Sequence, residues 1–401
     1  MRPSLPPSNS SFDVVIVGGG VMGCATAVFL GLLGLEGRRV AVVERDPAYR
    51  ACSTARSVGG VRHQFSTEEN VRLSLFTSAF LRDLRRYLEV DGEIPSLEFK
   101  EAGYLFLASA AGADTLAALH RMQTGLGADN VLLAPQGLAA RFPWLSTEDV
   151  AIGCLGVSGE GWLDPFALLQ GFRRKAVSLG VSFFADTVCG FGRDGHRLDG
   201  VHLAGGSTLA CGAVVDAAGP AAGRVAALAG IDLPVEGRKR QVFSFACPDP
   251  LPNCPLVVDP SGVYFRPEGR VFLCGLSPEE AADRTAEDGD FDVDHAQFED
   301  EIWPLLAQRC PAFERLRPQN AWAGHYEVNT LDHNAVIGRH PEVDNFYAVA
   351  GFSGHGIQHA PGAGRAIAEL IAFGGFRSID LSRLGFERIT LRRPLLEVGV
   401  V

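Results

Sequence analysis

The sequence of 401 residues predicts an α/β protein: a Rossmann-type dinucleotide-binding domain with a parallel sheet, interleaved with an antiparallel-sheet α+β substrate domain. Three observations predict it. A buried-strand, glycine-turn, helix unit opens the chain and recurs in its middle and at its end. Short strands that lack crossover helices fill a stretch between these units. The composition, 47% hydrophobic and 21% charged, is that of a globular chain, and the length exceeds one ordinary core.

The elements follow in order. "DVVIV" (13–17) is apolar throughout, as expected of a parallel strand buried on both faces. "GGGVMGCATAVFLGLLG" turns tightly into a helix, and "RRVAVVERD" (38–46) is a second buried strand ending in acids. Together they form a strand–helix–strand unit of roughly thirty residues. After the polar loop "STARSVGGVRHQF", the stretch "STEENVRLSLFTSAFLRDLRRYLEV" reads as one amphipathic helix, with Ser66 and Glu69 at capping-box spacing. "EAGYLFLAS" is a strand, and "GADTLAALHRMQTGL" and "PQGLAARFPW" are helical. "DPFALLQGFRRKAVSLG" is a helix with Pro165 in its first turn, and "VSFFADTVCGFGR" is a strand. "TLACGAVVDAAGPAAGRVAALAG" repeats the opening unit. "RQVFSFACP", "GVYFRP" and "RVFLCGL" suggest an antiparallel sheet, and "NFYAVAGFSGHGIQHAPGAGRAIAELI" closes with strand, turn and helix. These textures divide the chain into nucleotide-domain segments 1–95, 147–235 and 322–380, substrate-domain segments 96–146 and 236–321, and a C-terminal tail, 381–401.

Net charge is −11, with much of the acidity in 278–301. That run is either an acidic docking surface or a solvated loop with a helix start, and the second is the expectation. No apolar run approaches the ~20 residues that span a bilayer. "MRPSLPPSNSSFD" has no hydrophobic region of a secretory signal, and "LLEVGVV" has no peroxisomal or lipidation motif. Nothing basic or aromatic-striped suggests nucleic acid. The nine cysteines show no C-x-x-C and no metal-ligand cadence, so reduced thiols, no metal and a cytoplasmic location are expected. Cys24 and Cys52, near the cofactor loops, read as packing residues.

Gly18, Gly20 and Gly23 form G-x-G-x-x-G between a buried strand and a helix. Gly18 permits the tight turn, Gly20 the approach of backbone to a pyrophosphate, and Gly23 the close packing of helix on strand. The helix start adds N–H groups and partial positive charge. Glu44, about twenty residues on, is placed to take ribose hydroxyls and would repel a 2′-phosphate, disfavouring NADP. NAD and FAD share such a loop.

"VVIVGGGVMGCATAVFL…VVERD", "STARSVGGVR", "VVDAAGPAA" and "VAGFSGHGIQHAPGAGRAIAELI" together resemble the D-amino-acid oxidase/sarcosine oxidase family of FAD-dependent oxidoreductases, over nearly the whole chain. "WAGHYEVNTLDHNAVIG" looks closest to the sub-branch of sarcosine oxidase β subunits and assembly-linked FAD-dependent oxidoreductase domain proteins. The resemblance implies a glutathione-reductase-like FAD domain and FAD as cofactor. It places Gly354, His355, Gly356, Ile357 and Gln358 at the ring of the flavin, where a helix start stabilises negative charge on the reduced ring. Gly18, Gly20, Val21, Met22 and Gly23 hold the phosphate end. Ser53, Thr54 and Ser57 contact the pyrophosphate and ribityl region, with loop capping as the other role for Ser53 and Thr54. Arg45 follows Glu44 along the adenosine, the Val188 backbone meets adenine, and Gly219 approaches the cofactor closely.

The same resemblance implies oxidation of a C–N bond in an amino acid or N-substituted amino acid: hydride passes to flavin N5 and the imine hydrolyses. Arg62, in "GGVRHQF", matches the arginine that binds the substrate carboxylate, the alternative being a structural salt bridge. Two features depart from the family pattern. Gln358 stands where a second cation is used, which suggests a bulkier or less simply anionic substrate. The strand "GRVFLCGLSPEE" also lacks the lysine used for reaction with oxygen. Of the three lysines, Lys100, Lys175 and Lys239, only Lys239 comes near, so a quinone or protein acceptor is expected over O2. His325 occupies the tether position of covalent members and Arg56 the other linkage position, so non-covalent FAD is expected. His355, Glu327, Tyr264 and Tyr326 are candidates to shape the pocket or take the amine proton. His63, His333 and His359 are expected to be structural. Partner-binding flavoprotein with a hetero-oligomeric partner, and 2-hydroxy-acid dehydrogenase, stay open as alternatives.

Overall fold

The computed structural model describes residues 10–34 and 39–397; the leading residues 1–9, Arg38 and the last four residues, on which some of the readings above fall, lie outside it. Two eight-stranded sheets organise the chain. The first runs in the order Val336–Arg339, Phe346–Ala350, Thr208–Asp216, Ser11–Val17, Val40–Glu44, Ser182–Ala185, with Arg197–Leu203 and Val188–Asp194 joined to it through Thr208–Asp216. Ser11–Val17 pairs in parallel with Thr208–Asp216 and Val40–Glu44, and Thr208–Asp216 in parallel with Phe346–Ala350. The apolar run of the first strand is explained by its two covered faces. Val14 and Ile16 enter one core with the helices Val21–Leu32 and Gly356–Phe373, while Val15 and Val17 enter another with Ala222–Leu228. Full burial of such a side chain contributes about 1.5–3 kcal/mol.

The second sheet runs Arg317–Asn329, Val235–Ala246, Val271–Gly275, Tyr264–Glu268, Leu256–Val258, Tyr104–Ala108, Ile152–Gly156, Asn130–Leu133. All its pairings are antiparallel except Leu256–Val258 with Tyr104–Ala108. One face buries Phe243, Phe245 and Phe265 against Phe313; the other carries Tyr104 and Phe106, which cluster with Trp162 of the short pair Gly60–Val61 and Gly161–Trp162. Ile152–Gly156 and Arg317–Asn329 belong to this sheet, so 152–156 and 322–329 depart from the sequence-based division, which placed them with the nucleotide segments. Their apolar texture does not reveal which sheet edge they find.

Three local expectations are corrected. The predicted helix over 66–90 is two, Glu68–Arg82 and Leu84–Leu88, because Asp83 leaves the helical region and caps the second through Arg86 N. The N-cap is Thr67 in place of Ser66, and the Glu69 carboxylate pairs with Arg383 at 3.1 Å. The stretch 181–193 is also two strands, Ser182–Ala185 and Val188–Asp194, which pair with different neighbours.

Helices Val21–Leu32 and Gly356–Phe373 follow parallel strands of one sheet, so both start at the same end of it. They cross closely through Gly364, where an added Cβ would stand 2.7 Å from Ala25 C and Thr26 N. That crossing brings two helix starts to one place.

Candidate active site

Three parallel strands end in glycine turns around a cleft of about 420 Å³. Gly18, Gly219 and Gly351 have φ of 102°, 59° and 78°, values that favour glycine. Gly23 serves packing: an added Cβ would lie 1.9 Å from Gly18 O and 3.2 Å from Ile16 Cγ2. At Gly20 the nearest atoms would be Thr54 Oγ1 at 3.6 Å and Cys52 Sγ at 3.7 Å, so this glycine has room on the cleft side. The helix Val21–Leu32 starts with no hydrogen bond from its N-cap residue and no acid in its first turn, so its positive end faces the cleft. Helix Gly356–Phe373 starts the same way, after His355.

Gly18, Gly20, Val21 and Met22 line the cleft, as do Glu44, Arg45 and Val188. Glu44 also braces the turn: Oε2 accepts from Gly19 N and Oε1 from Asp46 N, both at 2.7 Å. Burial raises its carboxyl above the usual range, against these bonds. Ser53, Thr54 and Ser57 line the cleft, and each hydroxyl already holds a backbone partner. Ser53 Oγ donates to His325 O at 2.6 Å, Thr54 Oγ1 accepts from Val21 N at 3.3 Å, and Ser57 Oγ accepts from Gly59 N at 3.1 Å. Gly219, Gly354, Gly356 and Ile357 complete the wall. Gly354 admits Tyr326, whose ring would stand 2.5 Å from an added Cβ. Cys24 is buried and its thiol donates to Gly19 O at 3.1 Å, while Cys52 borders the cleft.

The acidic stretch, expected to be a solvated loop, contributes Asp288, Gly289 and Phe291 to the cleft wall. Arg240 holds Asp283 through two bonds of 2.7 Å, Arg224 and Arg45 hold Asp288 at 2.6 and 3.5 Å, and Lys239 holds Asp290 at 2.8 and 2.9 Å. Phe291 stacks on His325, and the Arg56 guanidinium lies 3.9 Å from its ring centre. Lys239 is thus an ion-pair partner of the acidic stretch.

A smaller chamber of about 60 Å³ adjoins the cleft through Ser57, Tyr326, Gly354 and Ile357, which border both. Arg62, Tyr104, Tyr264, His355 and Gln358 form its other walls. Arg62 is 4% exposed. Its backbone N–H donates to Gln358 Oε1 at 2.8 Å; Nη2 lies 3.0 Å from His355 Nε2 and Nη1 3.5 Å from Tyr104 Oη. The rings of Phe65 and Phe106 lie 4.7 and 5.0 Å from its guanidinium carbon. Nε has no partner, and among the described residues no carboxylate pairs with it, so the structural salt bridge does not form. Burial, then the charge of Arg62, holds His355 well below the usual histidine range. Because arginine only donates, Nε2 accepts and Nδ1 carries the hydrogen. That lone pair is therefore unavailable as a base in this state.

Glu327 borders the cleft and not the chamber; burial pushes its carboxyl up to about 8, and Oε2 has no partner. Burial likewise keeps the Tyr264 and Tyr326 hydroxyls protonated. His63 bonds Ser78 Oγ at 2.6 Å, and burial pushes His359 down to about 3. His333, in the left-handed region, borders neither cavity. Sequence reasoning missed Tyr104, which reads as core in "GYLFLA", and Glu160, described below. Among the described residues no cluster of three or more His, Cys, Asp or Glu is placed to hold a metal ion, and no helix is long and apolar enough to cross a membrane.

A parallel-sheet dinucleotide cradle joined to a small chamber with an uncompensated arginine defines a nucleotide-dependent oxidoreductase. Residues 13–370 match the family described as FAD dependent oxidoreductase, and the chain belongs to that family. It is 42% identical to FAD-dependent oxidoreductase domain-containing protein 1 of Xenopus laevis, over 99% of this chain and 86% of that protein. It is 26% identical to mitochondrial sarcosine dehydrogenase of Homo sapiens, over 92% of this chain and 40% of that one. Among solved structures, L-proline dehydrogenase from P. horikoshii aligns with a TM-score of 0.83 at 26% identity, covering 96% of this chain and 99% of that one. Glycine oxidase from Geobacillus kaustophilus aligns at 0.79 and 26%, covering 94% and 98%. The cofactor is FAD. The open side of Gly20 and the two helix starts, both without acids in their first turns, suit its diphosphate and its ring. His325 Nε2 is engaged with Asp290 O at 2.6 Å and Arg56 with Ala323 O at 2.6 Å, which suits a non-covalent cofactor.

Proposed function

We propose that the protein is an FAD-dependent oxidase or dehydrogenase acting on the C–N bond of an amino acid or N-substituted amino acid. The observation that carries this is Arg62, a buried cation without a carboxylate partner on the wall of a chamber open to the cofactor cleft. An anionic group suits its planar fork, and leaving such a charge without one is costly. When bound, FAD supplies the hydride acceptor, and the resulting imine is hydrolysed by water. Arg62 binds the carboxylate, Gln358 fixes the Arg62 backbone, and Tyr104, Tyr264 and Tyr326 enclose the carbon chain. The neutral His355 orients the guanidinium without adding a second cation. A chamber of about 60 Å³ supports a small substrate, in place of the bulkier one that Gln358 suggested.

No lysine borders either cavity; Lys239 is on Asp290, and Lys175 donates to Glu89 O at 2.8 Å. This supports a quinone or protein as acceptor over O2. All nine cysteines are free, which supports a reducing compartment such as the cytoplasm. The test is anaerobic bleaching of the flavin band with N-methyl amino acids, proline analogues, D-amino acids and 2-hydroxy acids. Bleaching by an amino acid is expected. Bleaching by hydroxy acids alone, or by no compound while another protein co-purifies, would overturn the reading.

A further inference from the structure

Directly behind Arg62, a single carboxyl group holds the two residues that follow it. Glu160 is fully buried. Its Oε1 accepts from His63 N at 2.8 Å, and its Oε2 accepts from Gln64 Nε2 at 2.8 Å. Gln64 Nε2 also donates to Tyr104 O at 2.9 Å, which ties the same loop to the strand carrying the chamber's Tyr104. The short antiparallel pair Gly60–Val61 with Gly161–Trp162 brings Glu160 beside the loop. Gly156 leaves space for the carboxyl, since an added Cβ there would lie 2.0 Å from Glu160 Oε2. Arg62 is therefore anchored on both sides: its own N–H on Gln358, and residues 63 and 64 on Glu160.

The contact of His63 Nδ1 with Glu160 Oε1, at 3.6 Å, supplies no counter-charge, because burial and the charge of Arg82 push the imidazole down to about 4. Burial also pushes the Glu160 carboxyl up to about 7, against the bonds from Gln64 and His63 and the charge of Arg62. A buried acid whose two hydrogen bonds both come from N–H donors of one loop has little reason to be there as packing, and a leucine of similar volume would avoid its desolvation cost. What the acid supplies is direction.

We propose that Glu160 is a positioning residue for Arg62: its carboxylate fixes residues 63 and 64 and thereby sets where the guanidinium stands in the chamber. The inference rests on reading Arg62 as the group that binds the substrate's carboxylate. The balance of interactions favours positioning over charge compensation, since both Glu160 oxygens are engaged with the loop's N–H groups and neither with the guanidinium.

The test is acetate or propionate titrated into the FAD-loaded protein and followed by the shift of the flavin absorption bands, in a double-mutant cycle of E160Q with R62K. In E160Q an amide N–H replaces one acceptor and faces a donor, so carboxylate affinity is expected to fall about tenfold with FAD content retained. In the R62K background E160Q is expected to change affinity less than twofold, since its effect passes through the arginine fork. Gln64→Met, which removes the Oε2 bond together with the bond to Tyr104 O but keeps His63 N on Oε1, should give an intermediate loss and serves if E160Q loses FAD. A wild-type band shift that E160Q and Q64M leave unchanged, or that E160Q weakens equally in both backgrounds, overturns this inference alone. The absence of any carboxylate-induced shift in wild type would overturn the reading of Arg62 first.

Discussion

Arg62 Nη2 lies 3.0 Å from His355 Nε2, a bond in which the imidazole accepts and stays neutral. The pair joins the two ends of the chain's polar machinery: a loop that follows the first strand–helix–strand unit, and the residue that precedes the last long helix. A neutral acceptor steers the guanidinium without cancelling its charge, which leaves the charge for an incoming anion.

Replacing Arg62 by lysine should therefore cost more than a conservative change. A lysine reaches the chamber as a point charge and cannot bond a carboxylate through two parallel N–H groups while contacting His355. Carboxylate affinity, read from flavin band shifts, should fall about 10- to 100-fold, equivalent to about 1.4–2.7 kcal/mol, with FAD content retained. An R62K protein that binds small carboxylates as tightly as wild type would remove Arg62 from the substrate site.

Glu327 and Asp216 make stability depend on pH in a direction opposite to that of most carboxylates. Asp216 is buried and Glu327 half-buried, each with one oxygen unpartnered, and desolvation raises both, Glu327 to about 8 and Asp216 well above its usual range, with Glu327 adding to the shift of Asp216. The neighbouring charged groups are turned elsewhere: Arg238 toward Glu236 and Asp283, Arg56 toward Ala323 and Phe291, His325 toward Asp290. Between the ordinary carboxylate range and pH 8 the native state holds a proton at Glu327 that the unfolded chain has released. Stability contributed by this group is therefore present at low pH and declines as pH rises through that window, by about 1.4 kcal/mol per pH unit. The difference in Tm between E327Q and wild type should grow in favour of E327Q from pH 5 to pH 8. A constant difference would show that Glu327 is ionised throughout.

The parts of the site that depend on backbone were legible in the sequence, because glycine spacing after an apolar run constrains a turn before any tertiary contact forms. Gly18, Gly20 and Gly23 fall where that spacing placed them, and Gly219 and Gly354 also meet the cleft. Side chains brought in from the second sheet were not legible. Tyr104 alternates in its strand like any core aromatic, and only the strand's place beside Leu256–Val258 turns it toward the chamber. Glu160 sits in a short glycine-rich loop, and nothing local marks it as buried. Asp288 and Phe291 were hidden for another reason: an acidic run looks solvated until Arg45, Arg224, Lys239 and Arg240 are found opposite it, all four from other elements of the chain.

Two glycines of the phosphate turn should respond differently to one added methyl group. At Gly23 a Cβ would stand 1.9 Å from the carbonyl oxygen of Gly18, a backbone atom that cannot move without reshaping the turn. Gly23→Ala should therefore push helix Val21–Leu32 off its strand, lowering Tm by an overpacking cost of about 1–3 kcal/mol and weakening FAD binding with it. At Gly20 the same methyl would meet only Thr54 Oγ1 at 3.6 Å and Cys52 Sγ at 3.7 Å, ordinary contacts, and φ there is −66°, which alanine adopts freely. Gly20→Ala should leave the Tm of FAD-free protein within about 0.5 kcal/mol of wild type while FAD retention on dilution, read by flavin fluorescence, falls at least tenfold. The methyl would occupy the side of the turn where the diphosphate must approach the helix start. Equal behaviour of the two variants, in either direction, would mean that the cofactor does not approach the backbone at Gly20.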